Sequence, residues 1–440
     1  MTILEHPQAQ TLLQDAVLDP ADVASCARRL QRFVQRYLPC FYREEQRRHA
    51  QVILEGKLTG LQRKTTEPIA HQAGLKRRPL QLFVGAGKRV DQTVLTELRS
   101  HVREELADDD AAFVLDSSGF PKKGDASCGV ARQWCGRLGK IDNCQVGVFV
   151  AYAASRGSAL IDARLYLPRD WAADRQRRAA TFVPADVTFR EKWRLGLDLL
   201  DRVRHELPGR WVLADDEFGR SSELRSQLRL RRLSYVLDVP CNTLVRDLSE
   251  RRPPSRPGGQ PRRAVFERVD QWVARQAKGR WRTVTVRDGE KGPLRVQVLL
   301  ATVQTKDEEG RVGPQERLAV FRSVEAKPRT WYTLGNDREA SRGVLARVHG
   351  RRHRIEELLG QGNQDVGLSH YEVRSWTGWH HHMTLSLLAL WFVETERLRL
   401  GEKNAGGDGI AGAGDLHGVV AAAGPERGPD CGGDQSDAAA

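Results

Sequence analysis

Three apolar runs rich in β-branched residues follow one another without an intervening helical pattern: AAFVLD (111–116), QVGVFVAYAA (145–154) and ALIDARLYLP (159–168). Gly, Ser and Pro bound each run, which predicts three strands joined as an antiparallel meander. The pattern then alternates. A helix is expected over about 187–206, a short strand at WVLAD (211–215), a helix from about 220 to 231, and a strand at SYVLDVP (234–240). A meander followed by alternating helix and strand restricts the chain to an α/β architecture.

The flanking segments read differently. Residues 21–37 place Val23, Ala27, Leu30 and Val34 on one face of an amphipathic helix. Residues 65–84 read as helix, a turn at Gly74, then a helix opened by basic residues, which is compatible with a helix-turn-helix. A further helix over 90–107 makes residues 1–108 an all-helical region. After the first core segment (109–249), ERRPPSRPGGQPRR (250–263) is a flexible basic loop. WRTVTVRDG, LRVQVLLATVQT and RLAVFRSV then alternate as strands, so 250–335 reads as a β-rich insertion with a basic loop. Helices resume at about 337–360 and 379–400 and complete the core over 336–400. Residues 401–440 contain eleven Gly and nine Ala, and are expected to be disordered. The element order is that of a ribonuclease H-like core carrying an inserted β-rich subdomain.

Charge narrows the function. The chain carries a net +13; residues 1–400 hold 68 basic and 50 acidic residues, hence +18. Such an excess favours a polyanionic partner, most simply nucleic acid. No stretch approaches the roughly 18–20 apolar residues of a membrane span. The N-terminus MTILEHPQAQ lacks a basic flank followed by an apolar core, so no signal peptide is expected and the cytoplasm is the expected location. The seven cysteines form no CxxC pair and read as reduced structural thiols.

Two of the expected strands end in a carboxylate, Asp116 and Asp215. A lone Asp after an apolar strand is usually a turn or helix cap. Two on neighbouring strands would instead converge at the sheet edge where α/β proteins bind ligands. Such a pair repels unless a divalent cation lies between its members, and carboxylate oxygens suit Mg2+ or Mn2+. Paired metals suit in-line displacement at phosphorus. A third carboxylate is needed from a nearby helix. In GRRHRIEELL, Arg352 and Glu356 lie four apart and share a helical face. His380, His381 and His382 are consecutive, point about 100° apart on a helix, and do not make one metal site.

The blocks VLDSSGFPKKG, SCGVARQWCGRLGKIDNCQVGVFVAY, WVLADDEFGRSSELR, YVLDVPCNTLVRDL and HRIEELL…GLSHYEVRSWTGWHHHMTLSLLALWF occur in one order over roughly residues 30–400. Together they resemble the DDE transposases of bacterial insertion sequences, and within them the IS-seven-oh-one group of the IS-four-like superfamily. The resemblance implies a ribonuclease H-like core, a helical N-terminal domain that binds terminal inverted repeats, and a β-rich insertion before the last catalytic acid. It assigns the catalytic and metal-binding roles to Asp116, Asp215 and Glu356, with Asp216 as a fallback for the second acid. Arg352 takes the place of the phosphate-contacting arginine. His349 and Asn363 stand where the wider signature has Tyr and Lys, so those DNA contacts depart from the pattern. Trp331 takes the place of an aromatic that stacks on an extruded base. Lys122 and Lys123, with Arg132, Arg137 and Lys140 on the loop between strands, are expected to meet DNA phosphates. The implied activity is cleavage at the element ends with two Mg2+ ions, then attack of the freed 3′-hydroxyl on target DNA by a DNA-bound dimer. Two other readings use the same acids: a nuclease of this fold that does not join strands, and a decayed transposase that only binds DNA.

Overall fold

A computed structural model describes residues 20–87, 91–250, 265–287 and 293–403. The basic loop expected at 250–263, apart from Glu250, and nearly all of the Gly/Ala-rich tail lie outside the described residues.

Five helices come first: α1 (Pro20–Tyr37), α2 (Glu44–Lys57), α3 (Thr66–Gln72), α4 (Arg77–Ala86) and α5 (Asp91–Leu106). α3 and α4 are joined at Gly74, whose φ of +67° is a left-handed conformation that suits glycine. The meander follows as β1 (Ala112–Pro121), β2 (Ala131–Cys135), β3 (Lys140–Ala153) and β4 (Ser158–Leu165). Two short helices, α6 (Arg169–Ala173) and α7 (Arg175–Ala180), lead to α8 (Lys192–Val203). The alternating part is β5 (Trp211–Ala214), α9 (Asp216–Gly219), α10 (Ser222–Leu230) and β6 (Ser234–Asp238).

Beyond it lie β7 (Leu244–Asp247), β8 (Glu267–Arg268), α11 (Val269–Ala274), β9 (Arg282–Arg287), β10 (Leu294–Lys306), β11 (Val312–Ser323) and β12 (Thr330–Gly335). Three helices close the chain: α12 (Arg342–Arg351), α13 (His353–Asp365) and α14 (Trp376–Lys403). The helix expected over 187–206 is shorter: the backbone is still extended at Glu191, and the turn after Val203 ends it.

The described strands form one twelve-stranded sheet in the order β2-β3-β1-β5-β6-β12-β11-β10-β7-β8, with β4 also on β3 and β9 also on β10. β1, β5 and β6 run parallel; the remaining pairs are antiparallel. The late strands do not build a sheet of their own. β12 pairs with β6 and so extends the first sheet. Side chains alternate across β10–β12. Val298, Leu300, Ala319 and Phe321 join the main core, while Leu299, Val303, Leu318, Val320 and Leu334 cover Trp272 of α11 in a smaller one.

The N-terminal helices share the main core. Phe33 of α1 packs edge-on against Phe392 of α14, with ring centroids 5.2 Å apart. Buried Arg99 of α5 reaches Glu206 at 2.7 Å and Asp162 of β4 at 3.4 Å. A second buried cluster ties α10 to β11: Arg225 and Arg229 contact Glu316 at 3.1 and 2.6 Å, and the Tyr235 hydroxyl donates to it at 2.7 Å. Among the described residues, no helix is long and apolar enough to cross a membrane.

Candidate active site

The site begins with three short parallel strands. Leu115 of β1 pairs with Ala214 of β5, and Ala214 with Leu237 of β6. The next residues are Asp116, Asp215 and Asp238, so three aspartates follow the paired ends of neighbouring strands, whose backbones lie about 4.8 Å apart. Apolar side chains force the strands inward: Phe113 to Leu115, Val212 to Ala214 and Val236 to Leu237 are buried. The acids sit where that apolar support stops.

Asp116 does not end its strand. β1 continues through Ser117, Ser118, Gly119 and Phe120 to Pro121, held by antiparallel pairing with β3 from Asp116–Phe149 to Pro121–Cys144. Only the parallel pairing with β5 stops at Asp116. Asp215 is a helix cap as well as a strand-end acid. Its carboxylate accepts hydrogen bonds from the backbone N–H of Glu217 at 3.1 Å and Phe218 at 3.4 Å, at the start of α9. Gly219 lets that turn lie on β6, since a Cβ there would come within 1.9 Å of the Asp238 carbonyl oxygen.

The acids feel one another. Burial lifts the Asp116 carboxyl well above the ordinary range, repulsion from Asp215 and Glu356 adds to it, and Arg352 opposes it. Burial, then the neighbouring Glu217 and Asp216, push Asp215 up to about 6, again against Arg352. Asp216 itself is exposed and lies 3.5 Å from Arg220, so of the two adjacent acids Asp215 is the one turned into the cluster.

Arg352, between α12 and α13, is the cation of the cluster. Its Nε lies 3.0 Å from Asp238 Oδ2, and its Nη1 donates to Glu356 Oε1 at 2.8 Å. Glu356 is exposed in the first turn of α13, where His353 Nδ1 also approaches it at 2.9 Å. His349 fills the other side of Asp238: its Nε2 lies 3.0 Å from Oδ1, and its ring stacks on Phe321 at 4.3 Å. Sequence reasoning missed Asp238. The signal was present, because SYVLD repeats the apolar run ending in Asp seen in VLAD. It also missed Glu217, which accepts from the Ser117 hydroxyl at 2.5 Å and pairs with Lys192.

The other expected contact residues scatter. Lys122 is folded inward, donating to the Tyr371 carbonyl at 3.2 Å with its ammonium 3.4 Å from the centre of that ring. Burial pulls its pKa down to about 8. Lys123 is exposed. Arg132 and Lys140 lie within β2 and β3, and Arg137 in the tight turn between them, rather than on an open loop. Asn363 turns back along its own helix and donates to the Leu359 carbonyl at 2.7 Å. Trp331 is half-buried in β12, edge-on to His349 at 6.1 Å. The three histidines diverge: His380 Nδ1 lies 2.9 Å from Trp376 O, His381 Nδ1 3.1 Å from Val84 O, and His382 Nε2 3.1 Å from Leu368 O.

Among the described residues, no group of three or more His, Cys, Asp or Glu side chains is gathered tightly enough to hold a metal ion. The donor chemistry nevertheless fits one. Asp116, Asp215 and Glu356 offer hard carboxylate oxygens, which suit Mg2+ or Mn2+. Burial, with repulsion from the neighbouring acids added, leaves Asp116 strongly disfavoured as an anion, which is the condition a divalent cation relieves.

Comparison with known proteins gives a family. A family model described as DDE superfamily endonuclease matches residues 36–293, more than half of the chain, spanning Asp116, Asp215 and Asp238 and ending before Arg352 and Glu356. Among solved structures, the chain is similar to a piggyBac transposase synaptic complex with hairpin DNA, seen by cryo-electron microscopy. The identity is 10% and the TM-score 0.39, over 86% of this chain and 70% of that one. A likeness that distant carries no argument about activity. The search of curated proteins gave no match. With more than half its length matched by one family, the chain belongs to the DDE superfamily endonucleases.

Proposed function

We propose that the protein is a DNA transposase that cleaves the ends of its own insertion sequence and joins the freed 3′-hydroxyl to target DNA. The observation that carries this reading is that parallel pairing sets Asp116, Asp215 and Asp238 at one sheet edge, where Arg352 bridges Asp238 to Glu356, in a chain with a net charge of +13. Asp116, Asp215 and Glu356 are the proposed catalytic and metal-holding residues, with Mg2+ or Mn2+ as the metal. Such ions, two in number, would supply charge stabilisation at the reacting phosphate and a more acidic nucleophile.

The chain's own groups divide the remaining work. Asp116 and Asp215 are fixed by the sheet, so their carboxylates need little reorganisation on binding. Asp215 is held further by the backbone N–H groups it caps. Asp238, itself held by His349, clamps Arg352, which in turn orients Glu356 and offsets negative charge where a phosphate would lie. Exposed Lys123, Arg132, Arg137 and Lys140 supply positive charge for a DNA backbone. The helix–turn–helix α3–α4, with Lys76, Arg77 and Arg78 opening its second helix, is the proposed reader of the terminal repeats. Because one event needs two ends, the active species on DNA is a dimer.

Pre-cleaved DNA ends taken from the flanks of the coding frame, incubated with supercoiled plasmid and Mg2+, test the assignment. Covalent joining of ends to plasmid is the expected result. Hydrolysis of the same DNA without joining would replace this reading with a nuclease of the same fold.

A further inference from the structure

A cavity of about 350 Å³ opens between α2, α3 and α4 on one side and residues 370–375 with α14 on the other. That volume lies within the ~300–1,000 Å³ usual for small-molecule sites. Lys57 and Lys64 both line it, and both are almost completely buried. The Lys64 ammonium is already occupied within the fold, donating to the carbonyls of Lys57, at 2.8 Å, and Thr59 and so capping the end of α2. Lys57 is less well met. Its ammonium makes one bond among the described residues, 3.3 Å to the Val366 carbonyl.

Burial, with Lys64 beside it, pulls the pKa of Lys57 down to about 7, and an anion in the cavity would hold it charged. The surroundings are positive. Burial depresses the basicity of His370, and Lys57, Lys64, Arg63 and Arg137 add to it; burial does the same to His382, with Lys57 and Lys122 adding to it. Asp365 offsets Lys64 in part, and the lining carboxylate of Glu372 is held outward by Arg63 at 3.0 Å. The wall away from the lysines is apolar, with Ile69, Val84 and Leu385. At the mouth stands Phe182, 70% exposed and left-handed at φ +56°, a conformation that a bulky side chain rarely adopts. Tyr371 lies between the cavity and Lys122, one residue beyond β1, which places the cavity about 20 Å along that strand from Asp116.

We propose that this cavity is a nucleotide-phosphate site separate from the acidic cluster, with Lys57 receiving the phosphate, Lys64 adding positive charge beside it, and Phe182 covering the base. The same chemistry is offered by a nucleotide within a DNA strand and by a free nucleotide. Only the first source rests on the DNA-processing reading.

Thermal unfolding of the full chain tests it against three ligands: inorganic phosphate, deoxythymidine 5′-monophosphate, and a short single-stranded oligonucleotide. The midpoint should rise saturably with at least one of them. Saturation by the mononucleotide assigns a free ligand, and saturation by the oligonucleotide alone assigns a strand nucleotide. Lys57→Met should weaken binding at least about tenfold. Phe182→Ala should weaken the mononucleotide or oligonucleotide but not phosphate. Asp116→Asn should bind like the wild type, which separates this site from the acidic cluster. Lys64→Gln serves should Lys57→Met fail to fold. No saturable shift with any ligand overturns the proposal, as does wild-type affinity for all three in both lysine variants.

Discussion

At the residue scale, the account rests on carboxylates held against their preference. Asp215 is raised from an ordinary 3.8 to about 6 in the folded chain, so the native state binds this proton more tightly than the unfolded state does. The stability that comes with the bound proton is fully present below about pH 4 and is lost as pH rises through about 6. In metal-free buffer, Asp215→Asn should be more stable than the wild type by about 1–3 kcal/mol at pH 7.5 and equal to it near pH 4. Asn keeps the cap on α9. Denaturant unfolding in EDTA across that range measures the difference, and a gap that stays constant with pH would contradict the electrostatic origin. Asp238 acts through Arg352, so Asp238→Asn should lower strand cleavage by about 10–100-fold rather than abolish it. A single-turnover cleavage assay reads this, and a wild-type rate would show that the clamp has no part in the reaction.

At the element scale, close approach matters more than propensity. α9 sits on β6 only because residue 219 has no side chain. Gly219→Ala should destabilise by about 1–3 kcal/mol and reduce cleavage as well, because it displaces the turn that Asp215 caps. Gly360, exposed in α13 with open space around it, is the control: Gly360→Ala should stabilise by about 0.5–1 kcal/mol. Thermal melts of the two variants compare them directly, and equal effects would remove the packing argument.

The elements also show what could be read beforehand. The three runs of the meander, β5 and β6 were legible because apolar strands bounded by turn residues carry their own signal. The continuation of β1 through Ser117–Pro121 was not, since SSGFP has the composition of a turn and is extended only because β3 pairs with it. β2 was missed for a related reason: ARQWC has no apolar alternation, and its pairing with β3 supplies the order. SYVLD offered Asp238 as one more strand-end acid, but only the parallel register of β6 on β5 sets it beside Asp215. Asn363 and Lys122 carry the right chemistry for DNA, yet their helix and strand ends turn them inward.

At the scale of the whole molecule, one sheet carries everything. The antiparallel strands after β6 extend it, so α12 and α13 return Arg352 and Glu356 to the edge where Asp116 and Asp215 stand. The most direct measurement is strand cleavage of linear DNA carrying the coding frame and its own flanks, with Mn2+ or with EDTA. Wild type and the single variants Asp116→Asn, Asp215→Asn and Glu356→Gln are compared, with DNA retention followed in parallel. The account predicts nicks that leave a 3′-hydroxyl at both boundaries for the wild type with Mn2+ alone, and none for any variant although each still binds the DNA. Cleavage that survives EDTA, or that persists in any one of the three variants, would contradict it.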